Sequence, residues 1–166
     1  MNVVPANIAR EETLDAEKLI DEIKKWRPER GIKQATGGGF FSTFPSDQQI
    51  GKKTGSGGTQ QSIDRLLELT EKSVRRFNQY KKAGLDLGGI VLGLPGDHVE
   101  GNTSQGGRLQ GLASSDLGIT EQVRVARRLL MAQIKAYAPL AEKMIVPVVN
   151  GNHDDCLLYT SDAADE

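Results

Sequence analysis

Residues 89–100, GIVLGLPGDHVE, pass from a compact apolar run into a glycine and a group of polar side chains. A short apolar run bounded by glycine and proline is typical of a strand that is buried on both faces of a parallel sheet. The turn that follows suits Gly96, because glycine adopts positive φ at little steric cost. The stretch therefore predicts a buried strand that carries Asp97, His98 and Glu100 at its carboxyl end.

The same pattern occurs once before and once after this stretch. Residues 40–45 (FFSTFP) precede the polar cluster SDQQ at 46–49, and residues 144–149 (MIVPVV) precede the cluster NGNHD at 150–154. Pro147 lies inside the last apolar run, although proline removes a donor from a strand ladder. Because ligands of open α/β sheets bind beyond the carboxyl ends of the strands, we expect the three polar clusters to lie together.

Helical patterns alternate with these strands, at residues 13–26, at 62–84 and from Thr120 to the terminator Pro139. Strands that alternate with long helices imply right-handed βαβ units and a parallel sheet between helical layers, which is an α/β fold. The apolar residues of the third helix predict its inward face, which consists of Val123, Ala126, Leu130, Ile134 and Tyr137.

The bulk composition describes an ordinary globular chain. It has 166 residues, 37% of them hydrophobic, and a formal net charge of -1. This balance does not indicate a strongly basic nucleic-acid binder or a membrane-surface protein. Because no apolar run approaches the ~20 residues of a spanning helix and no signal pattern opens the chain, we expect a cytoplasmic protein without membrane contact.

The last eleven residues, CLLYTSDAADE at 156–166, differ in character from the rest of the chain. They resemble the translation of a sequencing-library transposase adapter, and such scars are set aside in fold reasoning. We therefore expect natural sequence to stop near Asp155 and the natural gene to continue beyond it. The predicted organisation is an N-terminal helical arm and linker at 1–39, the N-terminal part of an α/β domain at 40–155 and an artefactual tail at 156–166.

The three strand-end clusters together resemble the calcineurin-like metallophosphoesterases, which carry D-x-H, G-D-x-x-D/E and G-N-H-D/E at strand ends. The corresponding segments here are 47–49 (DQQ), 96–100 (GDHVE) and 151–154 (GNHD). The run SDQQIGK at 46–52 is most similar to the nuclease branch of that superfamily, the SbcD-type DNA-repair nucleases. Residues 40–155, which carry the three motifs, resemble phage-encoded metallophosphoesterases. This implies a β-sandwich flanked by helices, of which the chain would hold the N-terminal, mostly parallel βαβαβ part.

The resemblance also implies a centre of two divalent metal ions. Asp47 and Gln49 would bind the first ion, Asp97 would bridge both ions, and Asn152 would bind the second. Manganese is the expected metal, with magnesium, iron or zinc as alternatives. Two such ions clamp the attacking and leaving oxygens of an in-line displacement and lower the pKa of a bridging water.

Further roles follow around the metal ligands. The resemblance implies that His153 protonates the leaving oxygen or stabilises charge on the scissile phosphate, and that Asp154 orients His153. It also implies that Glu100 supports the metal-binding residues without binding a metal itself. His98, beside Asp97, and Arg108, in the loop after Gly101, are candidate contacts for the substrate.

Two features depart from the family pattern. Gln49 stands where the family has a histidine, and an amide oxygen is a weaker donor than imidazole for manganese, iron or zinc. The family's remaining metal histidines lie further downstream, whereas the only histidines here are His98 and His153. We therefore expect the 166-residue chain to form an incomplete centre, to be inactive and to be marginally stable.

Two classes of function remain open from the sequence. The first is a metal-dependent hydrolase of phosphate esters, with DNA as the expected substrate of a phage exonuclease or endonuclease and a homodimer as one assembly of the full-length protein. Phosphatases share the same site chemistry, because the substrate is set by loops. The alternative, which Gln49 motivates, is a non-catalytic binding protein on a decayed phosphoesterase fold.

Overall fold

A computed structural model describes residues 14–28, 36–55, 57–101 and 115–154. The predictions for Arg108 and for residues 156–166 lie outside these ranges. The described elements alternate as predicted: α1 (Ala16–Lys25), β1 (Gly39–Thr43), α2 (Thr59–Lys82), β2 (Leu87–Leu92), α3 (Ile119–Tyr137) and β3 (Lys143–Ile145). Across these ranges, no helix combines the length and the apolar character that a membrane crossing requires.

The three strands form one parallel sheet in the order β1-β2-β3. Phe41 pairs with Ile90 on one side of β2, and Ile90 pairs with Met144 on the other. The central strand is the buried one, with Ile90 and Leu92 both 0% exposed. The prediction of an α/β fold with a parallel sheet is confirmed, and the carboxyl ends of all three strands meet at one edge.

The regular pairing of β3 ends before Pro147, earlier than predicted. The strand stops at Ile145, so the prediction of a continuous strand to residue 149 is wrong. The Leu94 N–H donates to the Pro147 carbonyl at 2.9 Å, and the Val149 N–H donates to the Leu94 carbonyl at 2.9 Å. Pro147 takes part in these contacts through its carbonyl alone, so the pairing does not require the N–H that proline lacks.

The inward face of α3 also differs from the prediction. The buried residues are Gln122, Val125, Leu129, Ala132, Gln133, Ala136 and Tyr137. Val123 is 39% exposed, whereas Gln122 is fully buried. Gln122 was missed because the inward face was predicted from apolar residues alone. Its buried side-chain amide is stabilised by hydrogen bonds with the Gly101 N–H and the Leu117 carbonyl.

The core consists of two clusters that meet at Trp26. In the first, Leu19 and Ile23 of α1 pack with Leu129 of α3, so α1 shares a core with the later elements. The second lies against the sheet and includes Phe77 beside Ile90. Each fully buried side chain of this size contributes about 1.5–3 kcal/mol, which fixes the helices against the sheet and holds the strand ends in place.

Candidate metal centre

Main-chain hydrogen bonds join the loop after β1 to the loop after β2. The Gln49 N–H donates to the Asp97 carbonyl at 2.9 Å, and the Ile50 N–H donates to the His98 carbonyl at 3.1 Å. The Glu100 N–H returns to the Ile50 carbonyl at 2.9 Å. This short parallel pairing, which includes a bridge between Ile50 and Val99, extends the contact between the two segments beyond the strand ends. The Ile50 side chain is fully buried.

The loop after β2 also packs directly on the loop after β3. A Cβ added to Gly151 would lie 2.0 Å from Asp97 Oδ1, and one added to Gly96 would lie 2.8 Å from the Gly151 Cα. Gly96 has a φ of 101°, which disfavours any side chain there. The close approach lets the His153 N–H donate to Asp97 Oδ1 at 3.0 Å. The three predicted clusters therefore lie together at the sheet edge.

Three of the predicted metal ligands adopt left-handed backbone conformations. Within the described ranges, the non-glycine residues with positive φ are Asp47 (49°), Gln49 (39°) and Asp97 (53°). Such a conformation costs an L-residue about 1–2 kcal/mol, with aspartate among the tolerant residues. Strained backbone of this kind concentrates at functional sites, where surrounding contacts hold it in place.

The predicted ligands carry side-chain oxygens and are all at least partly exposed. Asp47 and Asn152 are exposed, while Gln49 and Asp97 are partly buried. Carboxylate and amide oxygens suit hard divalent cations such as manganese and magnesium. Asp97 commits Oδ1 to the His153 amide, and Oδ2 makes no hydrogen bond with the described residues. This donor set fits a divalent ion, although no group of three or more His, Cys, Asp or Glu side chains suited to a metal occurs among those residues.

Gln49 carries a contact that the sequence did not predict. The Lys52 Nζ donates to Gln49 Oε1 at 2.5 Å and lies 3.8 Å from Glu100 Oε2. The Glu100 side chain is 7% exposed, whereas that of Lys52 is 37% exposed. An ammonium group therefore occupies the amide oxygen that was expected to bind the first metal.

His153 is held by Glu100. The His153 Nδ1 lies 3.0 Å from the Glu100 carbonyl oxygen and 3.6 Å from Glu100 Oε2, and the residue is 4% exposed. Because a carbonyl only accepts, Nδ1 carries the proton and donates it, and Nε2 remains the nitrogen that exchanges a proton. Glu100 thus contacts the ring through both its main chain and its side chain.

Asp154 has a different set of partners from the one that the resemblance implies. Its Oδ1 accepts from the N–H groups of His98 at 2.9 Å and Val99 at 3.2 Å, and its Oδ2 accepts from Gly151 at 3.1 Å. The carboxylate therefore ties the two loops together, and the contact that orients His153 comes from Glu100 instead.

His98 lines a cavity beside these loops. Its Nε2 lies 4.0 Å from Asp154 Oδ2. The cavity has a volume of about 370 Å³, and its apolar wall includes Leu94, Val123 and Val148. Val123, Ala126 and Leu130 of α3, which were predicted to face the core, line this cavity instead.

Two residues that support the site were not singled out from the sequence. Asp116 accepts from the Thr59 N–H at 2.8 Å and from the Thr59 hydroxyl at 2.6 Å, and so caps α2. Gln122 accepts from the Gly101 N–H at 2.9 Å and donates to the Leu117 carbonyl at 2.9 Å. Both contacts join segments that are distant in sequence, so no local pattern indicates them.

Comparisons with protein-family models, with curated proteins and with solved structures found no match to this chain.

Proposed function

We propose that the chain carries the divalent-metal site of a phosphoesterase of the calcineurin-like superfamily. The observation that supports this most is the coincidence of position and strain. Asp47, Gln49 and Asp97, which the motifs assign as ligands, are the described non-glycine residues with positive φ. They also belong to loops that hydrogen bonds hold together at the carboxyl edge of a parallel sheet.

Asp97 and Asn152 would hold the principal ion, with Asp47 as a further oxygen ligand. A bound divalent ion would lower the pKa of a water molecule and would polarise a phosphoryl oxygen. Asp97 is prepared for this task because the His153 amide fixes one of its oxygens at 3.0 Å. The oxygen-rich donor set favours manganese or magnesium over softer metals.

His153 would exchange a proton with the leaving oxygen of the substrate. Its Nδ1 donates to the Glu100 carbonyl, so the ring is held in the tautomer that leaves Nε2 as the exchanging nitrogen. The ring is buried, with His153 only 4% exposed, so a substrate can reach Nε2 only after a local rearrangement of its surroundings. A phosphodiester of DNA is the proposed substrate class, on the similarity of residues 46–52 to the nuclease branch.

Calorimetric titration of Mn²⁺ into the 166-residue chain tests this proposal. Asp97→Asn removes the charge but keeps an oxygen that accepts from His153, and asparagine tolerates the left-handed backbone well. We expect the wild-type chain to bind Mn²⁺ and Asp97→Asn to bind it at least roughly tenfold more weakly, or about 1.4 kcal/mol. Asp64→Asn is the matched control, because Asp64 is exposed on α2 and, within the described part of the chain, its side chain accepts a hydrogen bond from Gln60.

The control variant should reproduce the wild-type isotherm. An absence of Mn²⁺ binding at millimolar concentration, or equal affinities of Asp97→Asn and wild type, would contradict the metal site. Either result would show that the strand-end loops of this chain do not by themselves hold a divalent ion.

A further inference from the structure

The position of Lys52 bears on how many metal ions the proposed site holds. Its ammonium group lies 2.5 Å from Gln49 Oε1, the atom assigned to the first metal, and 3.8 Å from the Glu100 carboxylate. The two acceptors come from different loops, so the cation lies at the junction between them. An ammonium group bonded to this amide oxygen competes with a metal ion for the same acceptor and repels the ion by its like charge.

The backbone around Lys52 is fixed by several contacts. The Lys52 N–H donates to the Gln49 carbonyl at 3.0 Å, and the preceding Gly51 N–H donates to the Thr59 hydroxyl at 2.8 Å. Lys52 also forms an antiparallel bridge with Ser115. Gly51 has a φ of 105°, so the turn that directs Lys52 toward Gln49 requires glycine. The position of the ammonium group therefore depends on the backbone turn as well as on the side-chain conformation of Lys52.

The chemistry of residue 49 agrees with this arrangement. An amide oxygen is a good acceptor for an ammonium, whereas an imidazole nitrogen that binds a metal would face the same ammonium unfavourably. Glu100 supplies the negative charge that offsets Lys52, because its carboxylate is almost fully buried 3.8 Å away. The Gln49 amide oxygen and the Glu100 carboxylate thus both face the Lys52 ammonium, which takes the place of a metal ion between them.

We infer that Lys52 occupies the first metal position, so that the site binds a single divalent ion at Asp97 and Asn152. This inference rests on the proposed metal-site function. Lys52 is a positioning residue here: it supplies fixed positive charge beside the ion and excludes a second ion from Gln49. The two-ion centre implied by the resemblance is reduced to one ion and one ammonium.

The test is the Mn²⁺ stoichiometry, measured by calorimetry together with electron paramagnetic resonance. The wild-type chain should bind one ion and give an uncoupled Mn²⁺ spectrum. Lys52→Met removes the charge and keeps the aliphatic stem, so it should bind a second ion and show spin coupling between the two. Lys52→Leu, which also removes both the charge and the donor to Gln49, should behave in the same way if the methionine variant fails to fold.

Lys53→Met is the matched control, because it removes the same charge from the next residue, whose side chain is exposed. It should retain one ion. Two ions in the wild-type chain would overturn the inference while leaving the metal-site function intact. A stoichiometry of one in the folded Lys52 variants would overturn it as well. No binding to any variant would instead refute the proposed function itself.

Discussion

The substitution Gly151→Ala directly tests the packing of the loop after β3 on the loop after β2. The added Cβ would lie 2.0 Å from Asp97 Oδ1 and 2.3 Å from the Asp97 main-chain nitrogen. Because real Cβ contacts stay above about 3.0 Å, the two loops must separate by roughly 1 Å. The obstacle includes the backbone of Asp97, so a side-chain rotation cannot relieve it.

The magnitude follows from two terms. Overpacking of a close contact costs about 1–3 kcal/mol. The same separation stretches the hydrogen bond from the His153 amide to Asp97 Oδ1, now 3.0 Å long, and a bond to a charged acceptor is worth about 1.5–3 kcal/mol. A total near 3 kcal/mol corresponds to a fall in Tm of roughly 6–12 °C for a chain of this size.

Urea and thermal unfolding followed by far-UV circular dichroism measure this loss. Gly55→Ala is the matched control, since its Cβ would meet nothing within 4 Å and its φ lies outside the left-handed region. We expect the control to stay within about 0.5 kcal/mol of wild type. Equal free energies of unfolding for the Gly151 and Gly55 variants would refute the close loop packing.

Three further perturbations test other parts of the structure. Asp116→Ala removes the cap of α2 and should lower the free energy of unfolding by about 1–2 kcal/mol in urea, whereas an unchanged midpoint would contradict the capping contact. Asp154→Ala leaves three backbone N–H groups without their acceptor and should cost about 2–4 kcal/mol by the same assay, and a loss below 0.5 kcal/mol would show that the carboxylate does not tie the loops. Burial raises the pKa of Tyr137 above its ordinary value of 10.0, and hydrogen bonds between Tyr137 and the side chains of Ser73, Thr70 and Thr43 oppose the shift. As the pH rises, Tyr137 therefore ionises in the unfolded chain before it ionises in the folded one, so its contribution to stability is complete below pH 10 and is lost at higher pH. Tyr137→Phe should reduce this loss, measured by urea unfolding at several pH values above and below 10. An unchanged dependence of stability on pH would contradict the burial of Tyr137.

The arrangement of the three strand ends was predictable because it depends on local patterns. An apolar run that ends in Gly96 and Asp97 marks both a buried strand and the turn that leaves it. Parallel pairing then places the ends of β1, β2 and β3 at one edge without any further information. The contacts of Gln49 and of His153 with Asp97 follow from these two facts.

The contacts that hold the site were not predictable, because they join distant segments. The burial of Gln122 depends on the Gly101 amide and the Leu117 carbonyl, neither of which is visible in the helical pattern of α3. The link between Lys52 and Gln49 lies within three residues, yet it requires the positive φ of Gly51 that only the fold establishes. Asp154 was assigned to His153 by motif, while the geometry gives it to three backbone amides.

The most direct test of the metal site is the location of bound Mn²⁺ in the 166-residue chain by paramagnetic broadening of its amide NMR signals. The proposed site predicts that substoichiometric Mn²⁺ broadens the signals of Asp97, Asn152 and their loop neighbours first. The exposed carboxylates Asp21 and Glu68, which pair with lysines on α1 and α2, provide the internal reference for nonspecific binding. Broadening centred on those surface pairs, or no broadening at the strand-end loops, would contradict a metal site at the sheet edge.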